Sequence, residues 1–135
     1  SIRLLAGNFK SDIRMSVFSD ISQSQWVLET KHFFVIRDAY PVTEGHSLII
    51  SKREVEDYFQ LNSEEKQDLS FAIEKTRDNL VEYFNVKDFN IGMNCGKHAG
   101  QTVFHFHCHV IPRREGDVED PRGGVRHSVM GKGYY

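Results

Sequence analysis

In His105-Phe106-His107-Cys108-His109-Val110, imidazoles alternate strictly with apolar side chains. That two-residue period belongs to a β-strand with one buried face, because successive side chains leave a strand on opposite sides. Such a strand carries three imidazoles on one face and presses Phe106, Cys108 and Val110 into a core with the other. The fold must therefore contain a sheet covered on one side and chemically equipped on the other. A lone strand histidine is usually an ordinary polar residue. Three in register, from seven in the whole chain, point to chemistry.

Same-face neighbours on a strand lie about 6.7 Å apart, so the outer pair are about 13 Å apart at the backbone. Two adjacent imidazoles can converge on one Zn²⁺ at about 2 Å, but bringing in the third would strain the row. An extended row suits an extended polyanion better. Neutral imidazole, with an ordinary pKa of about 6.5, is also a competent nucleophile at pH 7. The spacing favours phosphate chemistry, with a metal-dependent hydrolase using His105 and His107 as ligands as the rival.

The rest of the chain fits one domain. With 135 residues it can bury a core without disulfide staples, and 17 basic against 19 acidic residues argue against a general nucleic-acid or membrane-surface binder. Cys95 and Cys108 sit in unlike contexts and suggest no disulfide framework, so a reducing, cytoplasmic compartment is expected. There is no apolar run of membrane-spanning length and no signal-peptide pattern, so no membrane partner is expected.

Strands are expected over residues 26–30 and 33–37, a hairpin closed at Lys31-His32, then over 47–51 and 88–93. Asn62 with Glu65 three residues on forms a capping box. It opens a helix to Phe84 whose stripe is Leu69, Ala72, Ile73, Thr76, Leu80, Val81 and Phe84. Residues 94–100 make a glycine-bearing loop, whose backbone N–H groups could meet a phosphate. Asp38 before Ala39-Tyr40-Pro41 reads equally well as a turn-forming residue. His46 reads as structural. The tail, residues 115–135, is rich in glycine and charge and reads as a solvated segment wrapping the surface.

Gly100-Gln101-Thr102-Val103-Phe104, followed by His105-Phe106-His107-Cys108-His109-Val110-Ile111-Pro112-Arg113, resembles the signature of the histidine-triad (HIT) family. These are nucleotide hydrolases and transferases with an H-x-H-x-H core followed by two apolar residues. The Ile111-Pro112-Arg113 ending resembles the dinucleoside polyphosphate hydrolase (fragile-histidine-triad) branch, whereas the nucleoside phosphoramidase branch usually continues with glycines. The resemblance covers about residues 16–114 of a single HIT-like domain, 1–135, leaving 1–12 as an extension. It implies an α+β fold, with an antiparallel sheet of about five strands, one long helix and a short helix, assembled as a homodimer.

The resemblance also implies a reaction and a site. The substrate would be a nucleotide conjugate, most simply a dinucleoside polyphosphate, cleaved at its α-phosphate. His107 would form a nucleotidyl-histidine, His105 and His109 would orient the row, and Gln101 and Thr102 would serve the phosphate or leaving group. Asp38 would hold the ribose hydroxyls, Asn94 would contact the α-phosphate or ribose, and Phe18 and Ile21 would flank the base. Nucleoside phosphoramidase or adenylyl-sulfate hydrolase activity is the alternative within the family, and a nucleotide-binding regulatory protein with little turnover the alternative outside enzymes. Many members carry a zinc site of two cysteines and two histidines; the matching positions here are Ser16, Ser19, Glu54 and His105. Serine hydroxyls are poor zinc ligands beside thiolates, so neither a metal nor another cofactor is expected, the substrate being free to arrive as a divalent-metal complex. One conflict stands. A regular strand from Gln101 would put Gln101 and Val103 with the histidines and turn Thr102 away, unless the strand starts late or is bulged near Gly100.

Overall fold

The computed structural model describes residues 17–134. Five antiparallel strands form one sheet: β1 (Leu28–Glu29), β2 (Phe33–Arg37), β3 (Ser47–Ser51), β4 (Asp88–Gly92) and β5 (His107–Arg113). Their spatial order is β1-β2-β3-β5-β4, so β3 and β5 sit side by side in the middle. One long helix, α1 (Ser63–Phe84), crosses one face. The other helical pieces among the described residues are single 3-10 turns.

The two faces bury different sets. Towards α1, Phe33, Val35, Ile49, Phe106, Cys108 and Val110 close on Leu69, Ala72 and Leu80. On the opposite face Phe34, Ile36, Leu48 and Ile50 pack with Phe18 and Val103, flanked by Ile21 and Trp26. Every residue of β3 is buried, as a central strand covered on both sides requires. Each large side chain taken fully from water adds about 1.5–3 kcal/mol, so both layers contribute to holding β5 in place.

The helix begins where its capping box sits: Asn62 accepts from Glu65 N–H (2.8 Å), and the Glu65 carboxylate accepts from Asn62 N–H (2.8 Å). Glu65 also takes both Arg53 nitrogens, at 3.1 and 2.7 Å, which satisfies a carboxylate only 2% exposed. The apolar stripe is narrower than the sequence suggests. Leu69, Ala72, Thr76 and Leu80 are buried, but Val81 lies one step round the helix and is 44% exposed. Gly45 lets the β2–β3 loop run close to α1; with φ +91°, a side chain there would meet Leu80 and Phe84 at 3.1–3.2 Å.

Strand limits differ from expectation in three strands. β1 is only Leu28–Glu29, because Trp26 is still closing a 3-10 turn onto Gln23 O. β4 stops at Gly92, one residue short of Met93. β5 starts at His107, not at His105. The tail is largely exposed, and within it Gly124–Ser128 forms a 3-10 turn packed on β4. No helix among the described residues is long and apolar enough to cross a membrane.

Candidate active site

Register places the histidines. Ile50 is opposite His107 and Leu48 opposite His109, so these two imidazoles share the face of Leu48 and Ile50. Phe106, Cys108 and Val110 point into the helix-side core. Burial pushes the Cys108 thiol up to about 12, leaving it an inert apolar group. His105, before the strand begins, is also buried at 2% exposure. The late start of β5 removes the parity conflict, since Gln101, Val103 and His105 are buried and Thr102 is exposed in a segment that is not yet strand.

Each imidazole has its protons fixed by neighbours that can play only one part. A carbonyl only accepts, so the 2.9 Å contact from His107 Nδ1 to His105 O puts the His107 proton on Nδ1. Its Nε2 then carries a bare lone pair. His105 donates through Nε2 to Ser51 O at 2.7 Å. A backbone N–H only donates, so Val42 N–H fixes His46 Nδ1 as an acceptor at 3.1 Å. His46 Nε2 must therefore hold the proton, which it gives to His109 Nδ1 at 2.9 Å. That leaves His109 with its own proton on Nε2. His107 and His109 thus stand side by side, rings 5.3 Å apart, in opposite tautomers.

Burial keeps the row neutral. It lowers His107 and His105 below the ordinary imidazole value, against the opposing pull of their backbone hydrogen bonds. It takes His46 down to about 4 and, helped by His107 and His46 alongside, His109 down to about 3. At pH 7 one imidazole offers a lone pair and its neighbour a proton.

The other expected residues fall into distinct places. Phe18, 1% exposed, lies edge-on to the rings of His105 (5.4 Å) and His107 (5.1 Å), with Ile21 packed against the same cluster. The Asn94 amide lies beside Gly100, in the loop that leaves β4 opposite His109. Gln101 is turned inward: its amide accepts from Gly96 N–H and donates to Glu56 O (2.7 Å) and Val103 O (3.2 Å), bracing the glycine loop. Asp38 is engaged inside the protein, with Oδ1 accepting from Tyr40 N–H and Oδ2 3.5 Å from His46 Nε2. The turn-forming reading of Asp38 is the one its contacts fit. His46, structural on sequence, donates to His109, and counting back from Ile50 and Leu48 in steps of two puts it on the histidine face.

Donor atoms of Asp38, His46 and His109 lie within 4.8 Å of one another, but the two imidazoles spend theirs on each other. Of the four positions that match the family's zinc ligands, Glu54 Oε1 is 3.8 Å from His105 Nδ1, Ser19 is exposed, and Ser16 lies outside the described residues.

His107 and His109 thus stand side by side under Phe18 and Val103, the first with a bare Nε2 and the second with a proton on the same atom. The chain belongs to the HIT domain family, whose model matches residues 20–116. It is 42% identical over 91 residues to the nitrilase and fragile histidine triad fusion protein NitFhit of Caenorhabditis elegans, covering 67% of this chain and 21% of that protein. To the bis(5'-adenosyl)-triphosphatase of Dictyostelium discoideum it is 36% identical, covering 74% of this chain and 67% of that one. Among solved structures, Plasmodium falciparum diadenosine triphosphate hydrolase in complex with cyclomarin A superposes with a TM-score of 0.69 at 31% identity, covering 74% and 68% of the two chains. The chain thus spans about a fifth of the fusion protein and about two thirds of the Dictyostelium enzyme.

Proposed function

We propose that this protein cleaves a nucleotide conjugate at its α-phosphate, most simply a dinucleoside polyphosphate, through a nucleotidyl-histidine. The observation that carries the reading is the pair of opposed tautomers at His107 and His109. The His107 Nε2 lone pair attacks the α-phosphorus, and the bond from phosphorus to the bridging oxygen breaks. His109 keeps its Nε2 proton and holds the departing oxygen with an N–H hydrogen bond as it leaves as a phosphate anion. Water then attacks the phosphorus, loses a proton to solvent, and the P–N bond breaks to release the nucleotide and neutral His107. Two relatives, a bis(5'-adenosyl)-triphosphatase and a diadenosine triphosphate hydrolase, support the substrate class.

In this reading Phe18 and Ile21 flank the base, Asn94 and Thr102 meet the phosphates, and Gln101 acts by holding their loop. Asp38 reaches a ribose only if its present contacts open. No resident metal is proposed, and the two free thiols suit a reducing cytoplasm. We place the protein in a homodimer, because β4 ends the sheet with Ile91 exposed and Tyr83 stands 71% exposed on α1. Sedimentation giving one chain's mass, 15.6 kDa, at micromolar concentration would remove that assignment.

The deciding experiment is single-turnover labelling with an α-³²P dinucleoside triphosphate. Acid-labile label is expected on the wild type and absent from His107→Asn, whose turnover should fall by about three to six orders of magnitude. Near-normal turnover in the variant, or label mapping to another residue, overturns the mechanism.

A further inference from the structure

Past His109, the histidine face of β5 continues through Ile111 and Arg113 and opens into a cavity of about 420 Å3. None of the three triad imidazoles lines it. Its floor is Ile111 with Asn90 opposite on β4, one wall is Val42 and Thr43, and the other wall is the tail, through Val118 and Pro121. These walls are anchored. Thr43 Oγ1 donates to Pro112 O at 2.7 Å, and Tyr134 at the rim sits against His127 (4.4 Å) with Arg122 over its ring. The volume lies within the range that takes small organic ligands, about 300–1,000 Å3.

Charge selects the occupant. Arg113 is held bidentately by Asp117, at 2.8 and 2.9 Å, and its remaining nitrogen donates to Asn90. Asp120, also in the lining, pairs with Arg122 at 3.4 Å, so each arginine here is spent on an aspartate. Such a lining offers a polyphosphate no unpaired cation. Apolar walls with amide and hydroxyl groups among them suit a neutral ring with polar edges.

Position selects it further. Phe18 marks one end of the row, against His105 and His107. Ile111 is four strand residues beyond His107, about 13 Å along the chain. That is the reach of a short polyphosphate bridge and a ribose. We propose that this cavity receives the departing nucleoside of a dinucleoside polyphosphate, so that the tail makes the site selective for substrates with a nucleoside at both ends. The inference rests on the proposed function above.

The test compares kcat/KM for diadenosine triphosphate with that for the p-nitrophenyl ester of AMP, which has no second nucleoside. Val118→Trp and Pro121→Trp fill the cavity from its tail wall, both from exposed positions. In each, the ratio of the two kcat/KM values should fall by about tenfold or more, carried by KM for the dinucleoside. A ratio unchanged in either folded variant sinks the subsite and leaves the proposed function standing. Wild-type protein that turns over neither compound sinks the proposed function, and the subsite with it. A second readout needs no variant: with the first site saturated by AMP, added adenosine should shift the Ile111 methyl resonances, and unshifted resonances overturn the proposal.

Discussion

Acid should unfold this protein through its imidazoles. Burial holds His46 at about 4 and His109 at about 3, against an ordinary value of 6.5. A histidine depressed in the folded state binds protons more readily once unfolded. The stability it contributes is therefore whole above about pH 6.5 and is lost as pH falls towards 4 for His46 and 3 for His109. Each unit below 6.5 costs about 1.4 kcal/mol per histidine. At pH 5 that is about 2 kcal/mol for each, or about 4 kcal/mol for the pair. His105 and His107 are lowered too and act in the same direction. Against a total of about 5–15 kcal/mol for a domain, the loss is large. The lowered carboxylates, such as Glu65, titrate below 4.5, so the window from pH 6.5 to 5 belongs to the histidines. Urea unfolding followed by circular dichroism at pH 7.5, 6.5, 5.5 and 5 measures the slope, and replacing His46 and His109 together with glutamine should flatten it. Equal midpoints at pH 7.5 and 5 in the wild type would refute the reasoning.

Two further outcomes are expected. His46→Leu removes the donor that fixes His109's tautomer and should cut kcat by about 10–100-fold, while His46→Gln, whose amide still donates, should recover part of it; equal activity in both would show that the His46 proton does nothing. Purified protein should carry no stoichiometric zinc, since Ser19 and Glu54 stand where the family's ligands match; elemental analysis near one zinc per chain, with stability lost on chelation, would reverse that.

The periodic elements were readable from sequence because period is set by backbone geometry. Alternation at 105–110 identified the face of β5, and Asn62 with Glu65 located the start of α1 to the residue. What period cannot show is side chains that bond to backbone. Gln101 spends its amide on Gly96, Glu56 and Val103, and Phe106 N–H turns to Val55 O, so the regular strand begins only at His107. Val81 fits the three- and four-step rule yet points past the sheet, because a stripe predicts a face and not its width. On sequence alone Asp38 is a turn residue or a ribose ligand, and His46 is structural. Only the pairing of β3 with β5 brings His46 to His109, and a contact across 63 residues leaves no local trace.

The chemistry then rests on where two protons sit, and backbone groups place both. His105 O can only accept and Val42 N–H can only donate, so neither assignment depends on pH near neutrality or on a charged neighbour. Burial strengthens the arrangement, because it penalises the imidazolium that would erase the difference between His107 and His109. A row of three equivalent histidines would have no reason to attack from the middle. One whose central member is left with a bare Nε2, while the next holds a proton on the same atom, presents a lone pair and a hydrogen-bond donor side by side before any substrate arrives.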